Sequence, residues 1–282
     1  MSEERVLRFG PGEVALGGIW TAPDERARTA PRDDLAVLLL NAGLLHKVGP
    51  YRMNVALARA LAARGLASFR FDFSGLGDSP AAATSLDYGA RCRDEIAAAM
   101  DHLAAEGRRR FVVLGLCSGA VNAHRAAAAD ARAVGVIALD GFAWPTRTFY
   151  LRHYGPRVIR PSKWVRFARR KLPALGVGRS GAAAKPDGAP EFEVDFPPRA
   201  EVAVELRRLV ARGCRMLYVF TGGVREYFNY RGQLGDCFPG LDFRGHLDVD
   251  HYPDADHTFT ALADRRRLFA RLEGWLDTHF PA

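Results

Sequence analysis

The residues best suited to covalent chemistry sit in one short stretch, Gly115-Leu116-Cys117-Ser118-Gly119. An apolar, β-branched run, residues 111–114, leads into it, and an alanine-rich stretch, Ala120 to Ala129, follows. That order reads as strand, sharp turn, helix. Such a turn forces its central residue into a strained backbone conformation, so the residues two before and two after it must be small. Gly115 and Gly119 meet this condition only with Cys117 at the centre. With Ser118 there, Leu116 would stand where a glycine is needed. The spacing therefore points to a thiol nucleophile, with the hydroxyl of Ser118 as a bystander.

The elements that must position this turn can be read along the chain. Residues 5–9 and 13–20, separated by Gly10-Pro11-Gly12, predict a β-hairpin. Leu35 to Leu40 is a continuous apolar run, as expected of a strand buried on both faces of a parallel sheet. It ends in Asn41-Ala42-Gly43-Leu44, where small residues allow backbone N–H groups to face an open site. A helix over 51–64, a strand over 66–73, a glycine-rich turn from Ser74 to Ser79 and a helix over 87–105 follow. Val134 to Asp140 predicts a further buried strand with an acid at its carboxyl end. After an irregular interval, a helix from Glu201, a strand from Cys214 to Phe220, an irregular helix from Arg225, a strand from Leu247 to Tyr252 and a terminal amphipathic helix resume the pattern. This alternation calls for an α/β fold, a mostly parallel, doubly wound sheet whose sites lie at strand carboxyl ends.

With 282 residues the chain can build one large α/β domain with an insertion, and 48% hydrophobic and 26% charged residues are ordinary for a globular protein. No stretch approaches ~18 uninterrupted apolar residues and the first residues are polar, so neither a membrane span nor a signal peptide is expected, and the expected location is the cytoplasm. Four cysteines without paired spacing suggest reduced thiols and no metal site. The net charge of +8 is concentrated: residues 143–190 carry eleven basic residues against Asp187 alone, leaving 29 basic and 31 acidic elsewhere. This distribution argues against a nucleic-acid binder and for one basic surface beside a site. We divide the chain into a core, 1–142 and 199–282, and an inserted basic cap, 143–198. Gly75 and Gly77 lack the lysine that a phosphate-binding loop needs, so no nucleotide or other cofactor is expected.

Taken in order, Asn41-Ala42-Gly43, Arg70-Phe-Asp72-Phe-Ser-Gly-Leu-Gly-Asp-Ser79, Gly115-Leu-Cys117-Ser118-Gly119 and Asp254-Ala-Asp-His257-Thr-Phe259 resemble the α/β-hydrolases across the core. The form of the elbow, with Val48-Gly-Pro-Tyr-Arg52, looks most like the exosortase-associated hydrolases and the cysteine acyl-shuttling enzymes of natural-product pathways. The resemblance implies the α/β-hydrolase fold and a catalytic triad. His257, after the last strand, is then the base. The usual place of the acid, after the strand ending at Phe220, carries no aspartate. Glu226 can replace it by its length, and Asp140 is the alternative. Asp256 is expected to fix the histidine loop. Backbone N–H groups of Leu44 and Ser118 would hold an oxyanion.

A cysteine acyl-enzyme is a thioester, so exchange with a carrier thioester is nearly isoenergetic. This favours an acyltransferase or thioesterase acting on carrier-protein or coenzyme A thioesters, with an acidic acyl or peptidyl carrier protein docking at the basic cap. Two other readings stand beside it. One is a cysteine hydrolase of small esters or lactones, and the other is a binding protein on an inactive hydrolase scaffold.

Overall fold

The computed structural model describes residues 2–10, 15–27, 30–158 and 196–282. Eight strands form one sheet: β1 (Glu4–Phe9), β2 (Leu16–Thr21), β3 (Leu35–Leu39), β4 (Ala67–Phe71), β5 (Arg110–Leu116), β6 (Ala133–Leu139), β7 (Arg215–Thr221) and β8 (Leu247–Tyr252). Their order is β1-β2-β4-β3-β5-β6-β7-β8. The first two strands join antiparallel, and from β4 onward every pairing is parallel. The reversal of strand order around β3 and β5 opens a crevice at their carboxyl ends, where such sheets place their sites.

Helices cover both faces. On one lie α1 (Met53–Ala62) and α7 (Leu262–His279); on the other lie α2 (Tyr88–Ala105), α3 (Ser118–Ala129) and α5 (Arg199–Ala211). The alternation of side chains along a strand decides which layer each residue joins. In β3, Leu35, Val37 and Leu39 pack with Leu57, Leu61, Leu272 and Trp275, whereas Ala36 and Leu38 pack with Ile96, Met100 and Leu206. All five residues of β3 are buried, which accounts for its unbroken apolar sequence.

Beyond β6 the chain leaves the sheet through α4 (Arg147–Val158) and re-enters it through α5; the short α6 (Gln233–Cys237) lies between β7 and β8. The expected cap, 143–198, falls largely outside the described residues. Of it, Trp144 lies tilted against Phe142 of the core with ring centroids 5.5 Å apart, and Phe149 is buried. Among the described residues no helix is long and apolar enough to cross a membrane.

Candidate active site

The site is assembled at the carboxyl end of the sheet. Cys117 connects β5 to α3 with φ 59° and ψ −121°, a left-handed conformation that L-residues rarely adopt. What holds it there is close packing on both sides. A Cβ on Gly115 would lie 2.0 Å from the carbonyl oxygen of Gly119, and one on Gly119 would lie 2.3 Å from that of Asn41. Neither obstacle is a flexible side chain. Gly115→Ala is therefore expected to lower stability by about 3 kcal/mol or more, measured by urea denaturation.

Cys117 is partly open, whereas Cys92, Cys214 and Cys237 are buried. Burial pushes all three of those thiols up, Cys92 to about 12. They pack, as their scattered spacing suggests, and only Cys117 is placed to react.

His257 lies in the loop between β8 and α7. Asp256 shapes that loop by accepting from the Thr258 amide (3.0 Å), the Thr258 hydroxyl (2.8 Å) and the Thr260 amide (3.0 Å). The ring Nδ1 is 2.8 Å from Oδ2 of Asp140. Hydrogen bonding to Asp140, and next to Cys117, raises His257 to about 10 against the opposing effect of burial. The ring thus bridges sulfur and carboxylate and carries its proton at neutral pH.

The carboxylate on the ring is that of Asp140, not Glu226. Asp140 directly follows β6, with φ 47° and a fully buried side chain, which also accepts from the amide and the hydroxyl of Thr221, each at 2.6 Å. Glu226 is exposed. Gly222 and Gly223 follow β7 in a 3-10 turn. A Cβ on Gly222 would lie 2.0 Å from the Pro253 carbonyl oxygen, and one on Gly223 would lie 2.7 Å from the His257 Cβ. The histidine loop packs directly on this glycine pair, so it leaves no room there for a carboxylate-bearing side chain. The ring instead meets the acid on the neighbouring strand.

The loop after β3 faces the elbow. Asn41 donates through Nδ2 to Asp72 (2.9 Å) and to the Leu45 carbonyl (2.7 Å), and accepts from the Phe73 amide (3.0 Å). Asp72, fully buried, also accepts from the Lys47 amide (2.5 Å), the Lys47 ammonium (2.7 Å) and the Asp78 amide (3.0 Å). Both ends of the 41–47 loop are therefore fastened to one carboxylate. Among the described residues the amides of Leu44 and Ser118 meet no protein acceptor. The Ser118 hydroxyl is not a bystander: its Oγ accepts from the Gly43 amide at 2.8 Å.

His46, Asp72 and Asp78 bring potential metal-ligand atoms within 4.8 Å of one another. The Lys47 ammonium already lies among them, 3.0 Å from the His46 Nε2 and bonded to both carboxylates. A cation is thus supplied by the chain itself, and the cluster fits a loop anchor better than a metal centre.

Sequence reasoning missed Thr221, which orients Asp140, and the fastening of the loop by Asp72. Asn41 and Asp72 both stand in the quoted motifs, but only the folded register shows that they touch.

No family model matches the chain, and no curated protein matches it. Solved structures do. An esterase of Pyrococcus furiosus superposes with a TM-score of 0.62 at 14% identity, over 99% of this chain and 91% of that one. A thermophilic esterase of Thermogutta terrifontis gives 0.56 at 19% identity, over 98% and 99%. An α/β serine hydrolase without a lid from Xanthomonas campestris gives 0.55 at 16% identity, over 98% and 93%. The chain has the α/β-hydrolase fold.

The raised His257 has a consequence for stability. A ring protonated more readily folded than unfolded stabilises the fold fully below its ordinary value near 6.5, and that contribution fades as pH rises toward about 10. Urea midpoints are expected to fall across this window in the wild type, and to fall less in His257→Gln.

Proposed function

We propose that the chain is an acyl-transfer enzyme that works through a covalent thioester on Cys117 and takes acyl thioesters of a carrier protein or coenzyme A as donors. The observation that carries this reading is the alignment of a half-open thiol, a cationic ring and a buried carboxylate, Cys117, His257 and Asp140. The sulfur attacks the thioester carbonyl, whose π electrons move to oxygen and form a tetrahedral adduct. The amides of Leu44 and Ser118 are the donors proposed for that oxyanion. As the carbonyl re-forms, the bond to the donor's sulfur breaks, and His257 gives its proton to the departing thiolate. The reverse sequence, with His257 taking a proton from the incoming acceptor, delivers the acyl group onward.

Sulfur suits this exchange because one thioester is replaced by another. Expelling an amine or an alkoxide from the adduct is harder, since the thiolate of Cys117 is the better leaving group. The basic segment 143–190 supports an acidic carrier as partner. Its described part, α4, exposes Tyr150, Leu151 and Tyr154 beside Arg147 and Arg152.

Intact-protein mass spectrometry after mixing with acyl-coenzyme A or an acyl-pantetheine tests the proposal. One acyl mass is expected on the wild type and none on Cys117→Ala. An unmodified wild type, or an adduct that survives the substitution, defeats it. The esterases among the structural neighbours favour a second reading, in which water is the acceptor for small esters or lactones. Steady turnover without an added acyl acceptor, at a rate that thiols do not increase, would select that reading. The intact Cys117-His257-Asp140 alignment speaks against a purely binding role.

A further inference from the structure

From the contact between the elbow and the loop opposite it, we infer that Ser118 is a positioning residue. Its hydroxyl sets the distance between the two backbone amides that receive the oxyanion. The inference rests on the acyl-transfer reading and adds to it a residue with a separable task.

The geometry is specific. The amide of Ser118 is placed by the elbow at the start of α3, in regular helical backbone. The amide of Leu44 belongs to a loop with no secondary structure of its own. Its anchors to Asp72 lie at Asn41 and Lys47, three residues to either side. Between those anchors, Gly43 has φ 54° and the Leu45 amide turns back to the Ala42 carbonyl at 3.0 Å. Leu44 itself is largely exposed, so packing does not hold it.

Among the described residues, the 2.8 Å bond from the Gly43 amide to the Ser118 Oγ is what ties this middle part to the elbow by a side chain. It acts one residue before the Leu44 amide. One residue therefore offers its backbone to the oxyanion and uses its side chain to hold the peptide that offers the other donor. Gly43 gains an acceptor, and its amide is turned away from the substrate. The next amide, that of Leu44, is left as the loop's donor.

A donor that is present but displaced loses much of its value, because preorganisation is what makes an oxyanion contact catalytic. Removing one such donor outright costs about 10²–10³ in kcat. Loosening it should cost less, about 10- to 50-fold. Attack of the sulfur on an alkyl halide develops no oxyanion and should not feel the change.

The test compares wild type, Ser118→Ala and Ser118→Thr with acyl-coenzyme A as substrate and iodoacetamide as the thiol probe. A third measurement is amide exchange at Gly43 by NMR. For Ser118→Ala we expect kcat to fall about 10- to 50-fold with KM within twofold. Alkylation of Cys117 should stay within twofold of wild type, and Gly43 exchange should quicken at least tenfold. Ser118→Thr, which keeps the acceptor oxygen, should restore both kcat and protection.

Unchanged Gly43 exchange, unchanged kcat despite faster exchange, or equal loss of turnover and alkylation would each overturn the inference. The last result would place the hydroxyl's effect on the sulfur or on the fold as a whole. A wild type that forms no acyl adduct would instead sink the acyl-transfer reading. The exchange measurement would then still decide whether the hydroxyl braces the loop.

Discussion

Cys117→Ala is expected to form no acyl adduct and to lose turnover by at least about 10⁴-fold, read as kcat on an acyl thioester. The magnitude follows from how the four thiols are distributed. Cys92, Cys214 and Cys237 are buried and their thiols are pushed up, so none can stand in for the missing sulfur. Cys117→Ser is the more informative partner. Its acyl-enzyme would be an oxygen ester, and return of the acyl group from an ester to a free thiol is no longer a balanced exchange. Wild type should equilibrate a labelled acyl group between two pantetheine thiols. Cys117→Ser should lose that equilibration even where it retains some hydrolysis. Equal exchange in the two proteins would show that the thioester intermediate is not on the path.

Asp140→Asn should lower kcat by about 10³–10⁴ while Glu226→Gln stays within twofold. The buried carboxylate accepts from the Thr221 amide, the Thr221 hydroxyl and the His257 ring. A side-chain amide cannot accept from all three, because half of its polar surface only donates. Either the ring loses its partner or Thr221 does. The same change removes the largest contribution that lifts His257 to about 10, so the ring should titrate markedly lower in Asp140→Asn, read from its proton resonances. An unshifted ring in that variant, or a large loss in Glu226→Gln, would return the acid to the sequence-based expectation.

The fold and the sharp turn at Cys117 could be read in the sequence because both rest on local rules. Gly115 and Gly119 flank Cys117 at the spacing the turn demands, and the alternation of apolar runs with amphipathic segments gives the doubly wound sheet. His257 could be placed through the resemblance, since it lies on a short connection between two predicted elements. The acid could be narrowed to Glu226 or Asp140 but not chosen between them, because the choice depends on the register of β6 against β7. There the Asp140 amide donates to the Val219 carbonyl at 2.8 Å, and no spacing between residues 140 and 257 encodes that contact. The same reason hid the Ser118 hydroxyl, whose partner Gly43 is 75 residues away along the chain. Glu226 was a fair expectation from sequence order alone. In the structure Glu226 is exposed, and the two positions directly after β7 are glycines packed against the histidine loop.

That glycine pair also restricts how such a protein can change. Moving the acid to the end of β7 by one substitution would require a side chain at Gly222 or Gly223, against the Pro253 carbonyl or the His257 backbone. The intermediate would lose its ring geometry before it gained a new carboxylate partner. A stepwise route between the two arrangements therefore crosses an inactive variant, and only a concerted remodelling of both connections avoids it.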